Sequence, residues 1–137
     1  MVVVDEVYNQ IIFQFSSEQL VTILQDIKIH KDKEINDIKA KIKKFEQTRR
    51  AHEVWYQSLS PVRKFFTGRP PSHHQAVEYI VNVKERFNTI EKIKIRISQL
   101  DRMISLVMKD TEMEQIVMPT FIIDDIKAWK EKEDRQV

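Results

Sequence analysis

Apolar residues recur at spacings of three and four along most of this chain, the pattern of helices that bury one face. Val4, Val7, Tyr8, Ile11, Ile12 and Phe15 keep that spacing at the start. They predict a short amphipathic helix over 3–15, with a strand as the alternative because the stretch is rich in β-branched residues. Ser16-Ser17-Glu18-Gln19 comes next. A serine and a glutamine three residues apart can satisfy each other's backbone amides, so this is a capping box. The helix it opens is predicted over 17–58. Val21, Leu24, Ile35, Ile38, Ile42, Phe45, Tyr56 and Leu59 fit one heptad frame along it. Lys28, Lys31, Arg49 and His52 fall in the intervening seam positions. Cations in a seam weaken it, and a bend or looser segment is expected at Lys28–Glu34.

Residues 59–74 read as a tip. Ser60 caps a miniature helix, Pro61 takes its first position and Gly68 closes it in the left-handed region. Arg69-Pro70-Pro71 cannot continue that helix. Ser72-His73-His74-Gln75 is a second capping box, and a long helix is predicted over 73–109. Its apolar set is Ala76, Ile80, Val83, Phe87, Ile90, Ile93, Ile97, Leu100, Ile104 and Val107. Successive threes around Ile90 predict local overwinding between Ile90 and Ile93. Thr111-Glu112-Met113-Glu114 reads as a third box, and short helices are predicted over 112–133, broken at Pro119. The last of them should bury Phe121, Ile122, Ile126 and Trp129. Two long helices of similar length with a short connection must fold back on each other. The predicted fold is all-α, one domain over 1–137. It is a long antiparallel coiled-coil-like hairpin, a helical bundle with short terminal helices packed at its open end. A hairpin buries little surface for its length, which favours a homodimer.

Composition narrows the chemistry. Gly68 is the only glycine among 137 residues. Tight turns and phosphate-cradling loops use glycine where φ is positive. One glycine therefore suits a helical chain with one special corner, and excludes P-loop and dinucleotide fingerprints. With no cysteine, disulfides and thiolate metal sites are excluded. No apolar run approaches the ~18 residues of a membrane span. Asp5 and Glu6 interrupt the signal-like start, so a cytoplasmic protein without membrane insertion is expected. There is no His-Glu-x-x-His. His73 and His74, being adjacent, diverge by about 100° on a helix, and His74 with Glu78 would need a third ligand. Ser16, Ser60 and Ser72 have capping roles. Asp124 and Asp125 read as a first-turn pair complementing the helix dipole. Nothing marks a base or a nucleophile, so no catalytic residue, cofactor or metal is expected. Met103, Met108, Met113 and Met118 advance by about 140° per step and form no face. They read as gap-filling core, with an adaptable partner groove as the alternative.

A net charge of +2 conceals an asymmetry. Residues 28–50 hold nine basic and four acidic side chains, and residues 110–137 hold four basic and eight acidic. Solvated helix faces explain this plainly; a surface for an anionic partner is the sharper reading. The tip is the leading site. Trp55, Arg63, Lys64, Phe65, Phe66, Arg69, His73 and His74 cluster there, and no acidic residue lies between 54 and 77. A small helix can bury one of two adjacent phenylalanines but hardly both, and aromatics flanked by cations have the composition of an interaction hot spot. The bland reading has both phenylalanines plugging the hairpin end with Trp55 and Tyr79. The expected function is a non-enzymatic protein-interaction protein, an adaptor or regulator, contacting a protein partner through the tip. The alternative is nucleic-acid binding by Lys39, Lys41, Lys43, Lys44, Arg49 and Arg50 together with the tip. A second alternative is a small ligand or metal held in the bundle core.

Overall fold

The structure, a computed structural model, describes residues 1–63 and 77–135. Lys64, Phe65, Phe66, Arg69, His73 and His74 of the predicted tip lie outside the described residues, as do Gly68 and the Ser72 capping box. Of the described residues 77% are helical, and the fold is of the all-α class, a helical hairpin. Helix α1 spans Ser17–Ser58. A π-helical turn, Ile80–Lys84, leads into α2, Glu85–Lys109, and α3 spans Thr120–Arg135. Three short strands accompany them: β1 Val2–Asp5, β2 Ile11–Gln14 and β3 Gln115–Met118.

The first capping box forms as read. The Ser16 amide donates to Gln19 Oε1 at 3.0 Å and the Gln19 amide donates to Ser16 Oγ at 3.1 Å. That reciprocal pair fixes where α1 begins.

Two predicted helices are strands instead. The helix expected over 3–15 is a β-hairpin, and the helical start expected near 112 gives way to β3. The sheet order is β2-β1-β3. β1 and β2 are antiparallel, with Val3 opposite Phe13 and a register shift that sets Val4 opposite Ile11. β1 and β3 are parallel, from Val2 opposite Gln115 to Asp5 opposite Met118. The reason lies in side-chain shape: runs such as Val2-Val3-Val4 and Ile11-Ile12 lose rotamer freedom in a helix and pack well on a pleated surface. The hairpin turn needs a left-handed residue, and Asn9 supplies it at φ 55°. Asparagine tolerates this region better than other residues bearing a Cβ, so the chain makes such an excursion without its glycine. Asp5 Oδ1 organises the turn, accepting the Val7 amide at 2.8 Å and the Thr120 hydroxyl at 3.4 Å. Thr111 caps no helix; Asp110 Oδ1 accepts the Glu112 amide at 3.2 Å as the chain turns towards β3.

The chain divides into two compact units, Met1–Lys33 with Lys94–Val137, and Glu34–Ile93. The first packs the sheet against the start of α1, the end of α2 and all of α3. Val3, Leu20, Leu24, Leu100, Val107, Met118, Ile122 and Ile126 are buried in its core, with Phe121 and Trp129 at the margin. Leu20, Ile23 and Ile27 join Leu24 in that core, a wider stripe than the heptad frame marks, because α1 here packs against several neighbours. Its seam cations meet carboxylates. Lys28 Nζ is 2.7 Å from Asp101, and Lys31 Nζ is 3.2 Å from Asp125. Asp125 is thus no first-turn dipole partner: α3 starts at Thr120 and has no acid in its first turn. Of the methionines, Met118 is fully buried, Met103 and Met113 pack at the core's edge, and Met108 is 61% exposed.

The second unit has a thinner core: Ile35, Ile42, Val83, Ile90 and Ile93. Helix α2 continues regularly through Ile90–Ile93 rather than overwinding there. The departure from α-geometry is the π-helical turn Ile80–Lys84, where the Glu85 amide donates to the Ile80 carbonyl.

Candidate interaction surface

Within the second unit, none of the described residues over 43–63 and 77–82 is buried. Apolar side chains there face solvent: Val54 (70% exposed), Val62 (66%), Val81 (50%), Trp55 (49%), Tyr79 (45%) and Ile80 (44%). Phe45, Tyr56 and Leu59, which the heptad frame places in the seam, are half-buried. The Trp55 ring stands beside that of His52, with centroids 5.6 Å apart and planes inclined by 50°. Arg63 is exposed, and its amide reaches Ser60 Oγ at 3.4 Å, the start of the cap read for the miniature helix.

A groove of about 280 Å³ opens in the same unit, lined by Lys41, Lys44, Phe45 and Thr48 of α1 and by Arg86 of α2. Its α1 residues fall at i, i+3, i+4 and i+7, so they share one face of the helix. Arg86 is half-buried and its Nη1 donates to the Asn82 carbonyl at 3.4 Å, which draws the guanidinium back over the π-helical turn. Thr48 Oγ1 donates to the Lys44 carbonyl at 2.9 Å. Among the described residues, no carboxylate lies within ion-pair distance of Lys41 or Lys44. The whole segment Glu34–Ile93 carries twelve basic and seven acidic side chains, against eleven and fourteen in the remainder.

The six cations of the basic stretch do not form one surface. At about 100° per residue, Lys39, Lys43 and Arg50 lie within about 40° of each other, while Lys41 and Lys44 sit on the opposite side of α1. Arg49 is tied to Glu46 at 3.1 Å. Of these six, the structure brings Lys41 and Lys44 together at the groove, with Trp55 further along the same face. Sequence reasoning missed Arg86; the signal was a cation on the second helix opposite a stripe of cations on the first, which only the pairing register of the two helices reveals.

No family model matches this chain, and neither does any curated protein or solved structure. Among the described residues no group of three or more histidine, aspartate or glutamate side chains is placed to hold a metal ion. No described helix is long and apolar enough to cross a membrane.

Proposed function

We propose that this is a non-enzymatic interaction protein of the cytoplasm, an adaptor or regulator that binds a protein partner through the second unit. The observation that carries the proposal is the run of exposed apolar side chains around Trp55, Val62 and Tyr79, where none of the described residues is buried. Exposed apolar surface of this extent on a helix pair is the mark of a contact site. Trp55 supplies buried area and Arg63 steers approach, the residue types that dominate binding energy at interfaces. The first unit acts as the folded anchor. A homodimer formed through the same surface is one form such a partner takes, and light scattering of the purified protein decides it.

Affinity capture from the protein's own cell extract tests the reading, comparing wild type with Trp55→Ala and Arg63→Glu. Loss of the wild-type partners from both variants supports it. Recovery of the same partners at the same yield refutes the site.

A further inference from the structure

The geometry points to the class of partner: an acidic amphipathic helix that lies along α1 in the groove of Lys41, Lys44 and Arg86. This deepens the protein-interaction reading and rests on it. Three observations converge on it. The groove lies between two helices, and its α1 wall repeats at heptad spacing, which is the shape a third helix fills. Its lining is mostly apolar, with Phe45 set among Lys41, Lys44, Thr48 and Arg86. Cationic residues line it from both helices, and among the described residues neither Lys41 nor Lys44 has an ion-pair partner. An apolar lining set among cations is complementary to a helix with an apolar stripe flanked by glutamate or aspartate.

The same face of α1 continues beyond the groove. Lys41, Thr48 and Trp55 are spaced by sevens, and His52 falls between the last two on that face. A docked helix following the stripe would therefore meet Phe45 first and Trp55 about 15 Å further on, at ~1.5 Å per residue. Nucleic acid fits the arrangement less well. A phosphate backbone needs a track of cations, and here Lys39, Lys43 and Arg50 point to the opposite side of α1 from Lys41 and Lys44, leaving a short cationic site instead of a track.

The test uses two synthetic peptides of about three heptads, with leucine at positions a and d and either glutamate or lysine at e and g. Like charges keep each peptide from pairing with itself. A labelled oligothymidylate serves as the third probe. Affinity is read by fluorescence anisotropy and location by amide chemical shifts of the full chain. The glutamate peptide is expected to bind, to shift amides of Lys41, Lys44, Thr48, Trp55 and Arg86, and to bind more weakly as salt rises; the lysine peptide is expected not to bind. Lys41→Glu with Lys44→Glu should lower affinity for the glutamate peptide at least about tenfold, whereas Lys41→Arg with Lys44→Arg should retain it. Both substitutions are at exposed positions, and an unchanged circular dichroism spectrum confirms that the fold is kept. Unchanged affinity in the charge-reversed variant overturns the proposal, as do shifts confined to other residues. Tighter binding of the oligothymidylate than of the glutamate peptide, lost in the same variant, would mean that the groove reads phosphate instead. The readings fail separately: capture that depends on Trp55 and Arg63 but no peptide binding rejects only the acidic helix. Peptide binding with capture unaffected by Trp55→Ala and Arg63→Glu rejects only the site around 55–63.

Discussion

Cutting one partner from the Lys31–Asp125 pair should destabilise the first unit by more than a surface ion pair could. Lys31 occupies a seam position of α1 and is 9% exposed. Its Nζ stands 3.2 Å from Asp125 Oδ2, with the side chains 11% and 23% exposed. That oxygen is buried and receives no hydrogen bond from the described residues, although the ammonium lies within ion-pair distance; the contact is short but off the hydrogen-bond direction. Lys31 is therefore the compensation for the buried oxygen. Breaking a fully buried pair from one side costs ~3–5 kcal/mol. Here the lysine stem can swing its ammonium towards water, and alanine regains ~0.5 kcal/mol of helix propensity over aspartate. The expected loss for Asp125→Ala is about 2 kcal/mol, below the range for a fully buried pair. Replacing both partners, Lys31→Met with Asp125→Leu, removes the desolvation cost along with the attraction and should be neutral or stabilising by ~1 kcal/mol. Urea unfolding followed by circular dichroism reads both. At an m-value of ~2 kcal/mol/M, Asp125→Ala lowers the midpoint by about 1 M. A shift in Asp125→Ala worth less than ~0.5 kcal/mol would place the pair with exposed ones and refute the argument. So would a double variant less stable than Asp125→Ala.

Three further outcomes follow from the structure. Asn9→Gly should leave stability within ~0.5 kcal/mol of wild type, while Asn9→Ala should cost ~1 kcal/mol because a Cβ without a polar group must enter the left-handed region; urea midpoints compare them. Ser16→Ala removes the acceptor for the Gln19 amide and should cost ~1 kcal/mol, with the loss of amide-exchange protection concentrated at the first turn of α1. Hydrogen bonding and charge from Asp101 raise the Lys28 pKa above its ordinary 10.5. A raised folded-state value means that the contribution is full below the unfolded pKa and lost as pH rises through the folded one. The stability difference between wild type and Lys28→Met should thus be constant near neutral pH and vanish at strongly alkaline pH; a difference that persists there would contradict the pairing.

The long helices were legible because their signals are local. Ser16 and Gln19 announce the start of α1 within four residues, and the spacing of Leu24, Ile35 and Ile42 marks its buried side without reference to any partner. The sheet was illegible for the opposite reason. β1 is held by β2, nine residues further on, and by β3, more than a hundred residues away, and four-residue strands are too short to show a period of two. Val4, Val7, Tyr8 and Ile11 keep helical spacing, yet Val7 and Tyr8 lie in the hairpin turn and are exposed. Glycine scarcity argued against any turn there, and Asn9 took the role. Asp125 reads as a dipole partner from sequence because its distance from Pro119 is visible there and its spatial neighbour Lys31 is not. The same limit hid Arg86, whose place beside Lys41 and Lys44 depends on how two helices pair.

Stability and charge are divided along the same line. The unit holding both termini has the sheet, nearly all of the fully buried side chains and an excess of acid, and its seam cations are answered by Asp101 and Asp125. The unit Glu34–Ile93 has an excess of base; among its described residues five apolar side chains are buried, and its groove cations Lys41 and Lys44 have no such answer. Seam cations with partners within the chain act in packing and register. Groove cations without them raise the local positive potential, the charge that the proposed acidic helix would meet. Since α1 is a single helix running through both units, its sequence changes task near Lys33. Before that point its polar seam positions are matched within the chain. Beyond it, the stripe Lys41, Lys44, Thr48 and Trp55 keeps heptad spacing while all four side chains stay exposed, and that stripe is the surface the proposed acidic helix would cover.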